Sequence, residues 1–206
     1  MLDSLTQQNT VIIDSLKKSR TVIDHMLSDE LVQHSILKAV NMVVNCFKNS
    51  GKLLFAGNGG SAADAQHMSA EYVSRFMFDR PGLPSIALTT DTSALTAIGN
   101  DYGFEQLFSR QIQALGSKGD VFFAYSTSGT SANIIKGLAE AKQRNISCIG
   151  MTGTRPQSKA MSNLCDIMIQ IPSQETPYIQ EGHLITGHLI CLMVEQIIFK
   201  PEEHKS

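Results

Sequence analysis

His67 and Glu71 stand four residues apart in Ala62-Ala63-Asp64-Ala65-Gln66-His67-Met68-Ser69-Ala70-Glu71, a run without a helix breaker. On a helix that spacing puts both side chains on one face. An imidazole and a carboxylate so placed suit a metal site or an acid–base pair, and equally an exposed His–Glu pair of small energetic weight. His188 offers a second imidazole. It lies in Glu181-Gly182-His183-Leu184-Ile185-Thr186-Gly187-His188, which continues apolar through Leu189, Ile190, Leu192, Met193 and Ile197. A histidine satisfied inside the core is the competing reading for His188, and His183 reads as structural or interfacial.

Two loops carry a different chemistry. Gly57-Asn58-Gly59-Gly60-Ser61 follows the apolar run Lys52–Ala56, and Ser126-Thr127-Ser128-Gly129-Thr130-Ser131 follows Val121–Tyr125. Each opens a helix-like stretch, where free backbone N–H groups and the positive end of the dipole favour an anion, a phosphate best of all. The second loop adds hydroxyls and no lysine, which suits a phosphate held rather than transferred. Ala62 stands where a dinucleotide fingerprint needs its third glycine, and neither loop ends in Gly-Lys-Ser/Thr, so a nucleotide cofactor is not expected. Among nearby charges, Lys52, Asp64, Arg75 and Arg80 flank the first loop and helix. Asp64 suits the first helical turn, and Arg75 suits a phosphate contact or a surface salt bridge. Asp91 and Asn100-Asp101-Tyr102-Gly103 are turn chemistry first and substrate contacts second.

These residues need a scaffold, and the periodicity predicts one. Strands are expected at 52–56, 85–89, 120–125, 148–152 and 166–171, with helices at about 61–76, 92–99, 105–115, 131–144 and 180–199. Such alternation implies an α/β fold with a parallel sheet, its ligands bound beyond the carboxyl ends of the strands. Before it, residues 5–49 read as two helices. Ile12, Leu16, Ile23 and Leu27 form one apolar stripe, Val32, Ile36, Val40, Val43 and Phe47 another, and Ser28-Asp29 supplies the cap between them. This pair is expected to meet its counterpart on another subunit rather than the sheet.

The 206 residues fit a single domain, 1–206, with a helical pair over 1–50 and an α/β core over 51–200. A net charge of −2 and a pI near 6.3 argue against a nucleic-acid partner. Lys17-Lys18-Ser19-Arg20 reads as a solvated helix face. Four scattered cysteines without Cys-x-x-Cys pairing indicate buried free thiols in a reducing compartment. Met1-Leu2-Asp3-Ser4 does not open a signal peptide, and no run is expected to be apolar enough to cross a membrane. The location expected is cytoplasmic.

At this point several motifs in order resemble the sugar isomerase (SIS) domain family, and within it the sedoheptulose 7-phosphate (phosphoheptose) isomerases. They are Gly57–His67, Ala87-Leu88-Thr89-Thr90-Asp91-Thr92, Gly99–Phe104, Ser126-Thr127-Ser128-Gly129 and Ile179-Gln180-Glu181. The resemblance implies a flavodoxin-like, doubly wound, five-stranded parallel sheet and a homotetramer with active sites between subunits. It implies conversion of sedoheptulose 7-phosphate to D-glycero-D-manno-heptose 7-phosphate through an enediol, the first step towards ADP- or GDP-heptose for bacterial lipopolysaccharide or capsule. By the family pattern Ser126, Thr127, Ser128 and Ser131 hold the phosphate. Asn58, Gly59, Gly60, Ser61, Asp101 and Gln180 line the sugar side, with Arg75 assisting. Glu71 and His188 match the catalytic pair, and His67, Glu71, Gln180 and His188 match ligands of one Zn2+ per subunit.

Gln180 and His188 lie about 12 Å apart along an ideal helix. To share one ion, Gln180 must precede or fray the helix start, or the ligands must come from two subunits. Three positions depart from the pattern: Thr130 replaces a common asparagine, Pro177-Tyr178 replaces a segment that often carries arginine, and Gly153-Thr154-Arg155-Pro156 replaces a more glycine-rich turn. A non-catalytic SIS protein that binds the replication initiator is the alternative, and the presence of both Glu71 and His188 argues for the enzyme. A sugar-phosphate sensor or etherase usually carries further domains or other acidic residues.

Overall fold

The computed structural model describes residues 5–199. The reading of Met1–Ser4 and the last residues of the expected domain lie outside them. Two N-terminal helices, α1 (Leu5–Ser28) and α2 (Glu30–Lys48), precede five strands: β1 (Leu53–Ala56), β2 (Ser85–Ala87), β3 (Val121–Tyr125), β4 (Ser147–Gly153) and β5 (Ile167–Ile171). The remaining helices are α3 (Gly60–Val73), α4 (Thr92–Tyr102), α5 (Leu107–Leu115), α6 (Ala132–Gln143), the short α7 (Lys159–Ser162) and α8 (Thr176–Phe199).

All neighbouring strands pair in parallel, in the order β2-β1-β3-β4-β5. This is the flavodoxin-like order, and the winding reverses between β1 and β3. The loops after those two strands are the glycine loop and the hydroxyl loop, so both meet at the switch point.

Side chains alternate between the faces of the sheet. Leu53, Phe55, Val121, Phe123, Ile149 and Ile169 pack under α2, α3 and α8. Leu54, Ala56, Phe122, Ala124 and Cys148 face α5 and α6 on the other side. Phe55 and Phe123 stack at 4.8 Å across paired strands. Fully burying one such ring contributes about 1.5–3 kcal/mol.

Three expectations change. First, α2 buries Val32, Ile36, Val40 and Val43 within this chain's own core, whereas α1 leaves Ile12, Leu16, Ile23 and Leu27 exposed. Val22 and Met26 of α1 reach the same core, so it is the Ile12–Leu27 stripe and not the whole helix that lacks a cover among the described residues. Asp29 caps α2 as expected, its carboxylate accepting from the backbone N–H groups of Leu31 and Val32.

Second, α8 starts at Thr176, four residues early. Pro177 is tolerated there because a first-turn N–H has no helical acceptor to lose. Third, α8 is long and apolar enough to cross a membrane by length and composition, with a mean hydropathy of 1.4 in its most apolar window. In the fold it packs on α2, α3 and the sheet. The four thiols are free, with Cys46, Cys148 and Cys191 buried and Cys165 half-buried.

Candidate active site

α3 leaves the glycine loop and carries His67 and Glu71 on one face, with His67 Nε2 3.3 Å from Glu71 Oε1. α8 crosses α3 and brings in His188, whose Nε2 lies 2.9 Å from His67 Nε2. Ligand atoms of His67, Glu71 and His188 all lie within 4.8 Å of one another, so these three side chains can hold a metal ion. His67 is exposed and the other two are half-buried. The ring of Phe76 flanks His188 at 5.4 Å. Burial, and then the neighbouring His67, hold the His188 imidazole below its ordinary range, against the pull of Glu71.

The two loops differ from the starts of α2 and α4 in their caps. α2 and α4 are closed by the carboxylates of Asp29 and Asp91. Gly59 and Ser131, at the starts of α3 and α6, make no side-chain cap bond. The α6 end keeps N–H groups free for an anion, whereas at α3 the N–H groups of Ser61 and Ala62 already donate to Asn58 O and Gly59 O.

In the hydroxyl loop Ser126 Oγ lies 2.9 Å from Ser131 Oγ and accepts from the Gly129 N–H. Ser128 Oγ accepts from both the N–H and the hydroxyl of Thr130. Thr130 thus supports the loop from outside. Ser61 is buried beneath the glycine loop. The two loops are joined through Asn58 and Asn133, whose carboxamides exchange hydrogen bonds of 2.9 and 2.8 Å.

Gln180 lies inside α8, well past its start. Its amide packs against Gly60, where an added Cβ would sit 2.4 Å from Nε2. The helix is neither frayed nor begun at Gln180, so it stands two turns, about 12 Å, from His188. Arg75 and Asp101 are exposed. Asp101 accepts from the Asn100 carboxamide, and Arg75 has no ion-pair partner among the described residues. Lys52 sits at the opposite end of the sheet, bound to Asp120 at 2.6 Å. His183 is fully buried, edge-on to Tyr125 at 5.6 Å.

Sequence reasoning missed Asn133, Phe76 and the buried pair Arg80–Glu195. Asn133 had no local signal, since its partner is 75 residues away. Glu195 had one: it is the single charge in the apolar run Leu189–Phe199.

Comparison with known proteins gives the family of the chain. The SIS domain family model matches residues 9–153. The chain belongs to the SIS domain family. The phosphoheptose isomerase of Burkholderia pseudomallei is 54% identical to this SIS protein over 190 residues, covering 92% of this chain and 95% of that one. That of Aneurinibacillus thermoaerophilus is 53% identical over 192 residues, covering 93% and 96%. The solved phosphoheptose isomerase of Neisseria gonorrhoeae superposes with a TM-score of 0.85 at 38% identity, covering 92% of this SIS chain and 99% of its own.

Proposed function

We infer that this protein is a phosphoheptose isomerase, an aldose–ketose isomerase that converts sedoheptulose 7-phosphate to D-glycero-D-manno-heptose 7-phosphate. The observation that carries the reading is the convergence within 4.8 Å of His67 and Glu71, on the helix that opens from the glycine loop at the switch point, with His188 from α8. Moving a carbonyl to the adjacent carbon requires a proton to leave one carbon and return to the next. Glu71 suits that carbon-bound proton, and His188, held neutral, exchanges protons with the hydroxyl and carbonyl oxygens. Ser126, Thr127, Ser128 and Ser131 with the free end of α6 anchor the phosphate at the far end of the sugar. Ser61, Gly59, Gly60, Asn58 and Gln180 form the wall beside the reacting carbons. Asn58 serves that wall through the loop, because its carboxamide is engaged by Asn133. Arg75 and Asp101 join when substrate or a neighbouring subunit closes over them.

Two imidazoles and a carboxylate are a donor set suited to Zn2+. When bound, the ion supplies Lewis-acid polarisation of the carbonyl and stabilises the enediolate. A ligating carboxylate is a weakened base, so the two roles of Glu71 belong to different states of the site. Gln180 as a fourth ligand requires α8 to open its first turns or the ligand to come from a second subunit. The exposed stripe of α1 and the open side of His67 favour a homotetramer whose subunits complete one another's sites. A cytoplasmic location fits the free, buried thiols.

The test is incubation with sedoheptulose 7-phosphate in deuterated water, with and without added zinc. Wild type gives an aldose phosphate deuterated at the new carbon-bound position. Glu71→Gln loses that exchange by at least about 10²-fold while substrate binding persists. Absence of both product and exchange in wild type under either condition sinks the enzyme reading.

A further inference from the structure

We propose that the buried pair Arg80–Glu195 is a positioning clamp for Glu71 and His188; the proposal rests on the isomerase reading above. Both side chains are 1% exposed, and Arg80 Nε meets Glu195 Oε1 at 3.0 Å. Every other hydrogen bond of Arg80 goes to a backbone carbonyl, three of them at the end of α3 or one residue past it. Nη2 donates to Glu71 O at 2.7 Å, and Nη1 donates to Tyr72 O, Ser74 O and Pro81 O. The last carbonyls of a helix lack helical donors, and a cation suits the negative end of the dipole. Arg80 therefore fixes the turn of α3 from which Glu71 projects.

Glu195 does the corresponding work from α8. Its two oxygens accept from the N–H groups of Phe76 and Met77 at 3.0 and 2.8 Å. Phe76 is the residue whose ring lies against His188. Glu195 stands seven residues beyond His188, two turns along the same helix face. One ion pair thus ties the backbone of Glu71, the ring beside His188 and the helix carrying His188 into a single unit. A buried ion pair gives little net stability over an apolar pair of the same volume, whereas this arrangement fixes two reacting groups that come from different helices.

The variants Glu195→Gln and Arg80→Lys test the clamp. Glutamine keeps an acceptor for only one of the Phe76 and Met77 N–H groups, and lysine keeps the charge but cannot span the carboxylate and four carbonyls together. Each is expected to lower kcat about ten- to a hundredfold, as a small misplacement of reacting groups does. KM for sedoheptulose 7-phosphate and affinity for inorganic phosphate stay within about twofold, because the hydroxyl loop is untouched. Zinc affinity, read without turnover by competition with a chromophoric chelator, falls about tenfold or more.

Wild-type kcat and zinc affinity in folded variants overturn the proposal. So does a parallel loss of kcat, phosphate affinity and melting temperature, which marks a purely structural pair. If the single variants do not fold, Arg80→Met combined with Glu195→Gln leaves no unpaired buried charge and is read by the same measurements. A wild type without exchange activity counts against the isomerase reading, and the chelator titration then decides the clamp by itself.

Discussion

Ser128 illustrates how a hydroxyl can be prepared for an anion. It accepts twice from Thr130, and its own proton has only the long 3.5 Å contact to Ser126 Oγ to give up when an anion arrives. Ser128→Ala is expected to raise KM for the sugar phosphate about tenfold, since a hydrogen bond to a charged group contributes ~1.5–3 kcal/mol. Steady-state kinetics should show kcat within about twofold of wild type; an equal fall in kcat would assign the hydroxyl to the chemical step. His67, Glu71 and His188 were legible because helical spacing and residue type are local properties. Their convergence did not follow from spacing, because it depends on how α8 crosses α3; the family resemblance alone implied it. Nor could the sequence distinguish Asn58 as a sugar contact from Asn58 as the partner of Asn133. A carboxamide serves either role, and only the meeting of two distant loops decides it.

At the scale of elements, the hydroxyl loop depends on one backbone position. Gly129 has φ +69°, and a Cβ there would meet Ser158 Cα at 2.6 Å. Neither the left-handed conformation nor a backbone neighbour yields cheaply. Gly129→Ala is therefore expected to destabilise the fold by ~1–3 kcal/mol and to weaken phosphate binding. Chemical denaturation and phosphate titration check the two effects, and unchanged stability would show that the turn from Gly153 to Ser158 can withdraw. The parallel sheet and its two loops were legible from the alternation of apolar strands and helices. The early start of α8 was not, because Pro177 reads as a breaker until it is recognised as lying in a first turn. Arg155 gains a purpose in the fold. It donates to Gln174 O at 2.9 and 2.6 Å and to Thr176 Oγ1 at 3.2 Å, pinning the segment that leads into α8.

At the scale of the whole molecule, the buried His183 and the half-buried Asp64 act against each other. Burial holds the imidazole of His183 down at about 4, against 6.5 for a free one. The unfolded chain therefore takes up this proton between about pH 6.5 and 4 while the native one does not. Stability falls across that window on acidification, by up to ~3 kcal/mol. Asp64, pushed up to about 6 mainly by burial, keeps its proton in the native state where the unfolded chain has lost it. Its contribution falls as pH rises from about 4 to 6. The two slopes oppose each other across that range. His183→Gln should expose a loss of stability with rising pH, and Asp64→Asn a loss with falling pH. Denaturant melts at half-unit pH steps check both, and two parallel curves would refute the assignment. Neither environment was legible beforehand, because burial belongs to the assembled layers and not to the residue.

The reciprocal carboxamide pair of Asn58 and Asn133 has a consequence for discrimination. Asn133 lies in the first turn of α6; on the proposed function it stands beside the loop that takes the anion, and Asn58 in the loop that faces the reacting carbons. Whatever seats one loop also seats the other. A free sugar would thus be handicapped twice, in holding on and in being turned over, although its reacting end is chemically identical. The phosphate acts as a key for a reaction at the opposite end of the molecule that bears it.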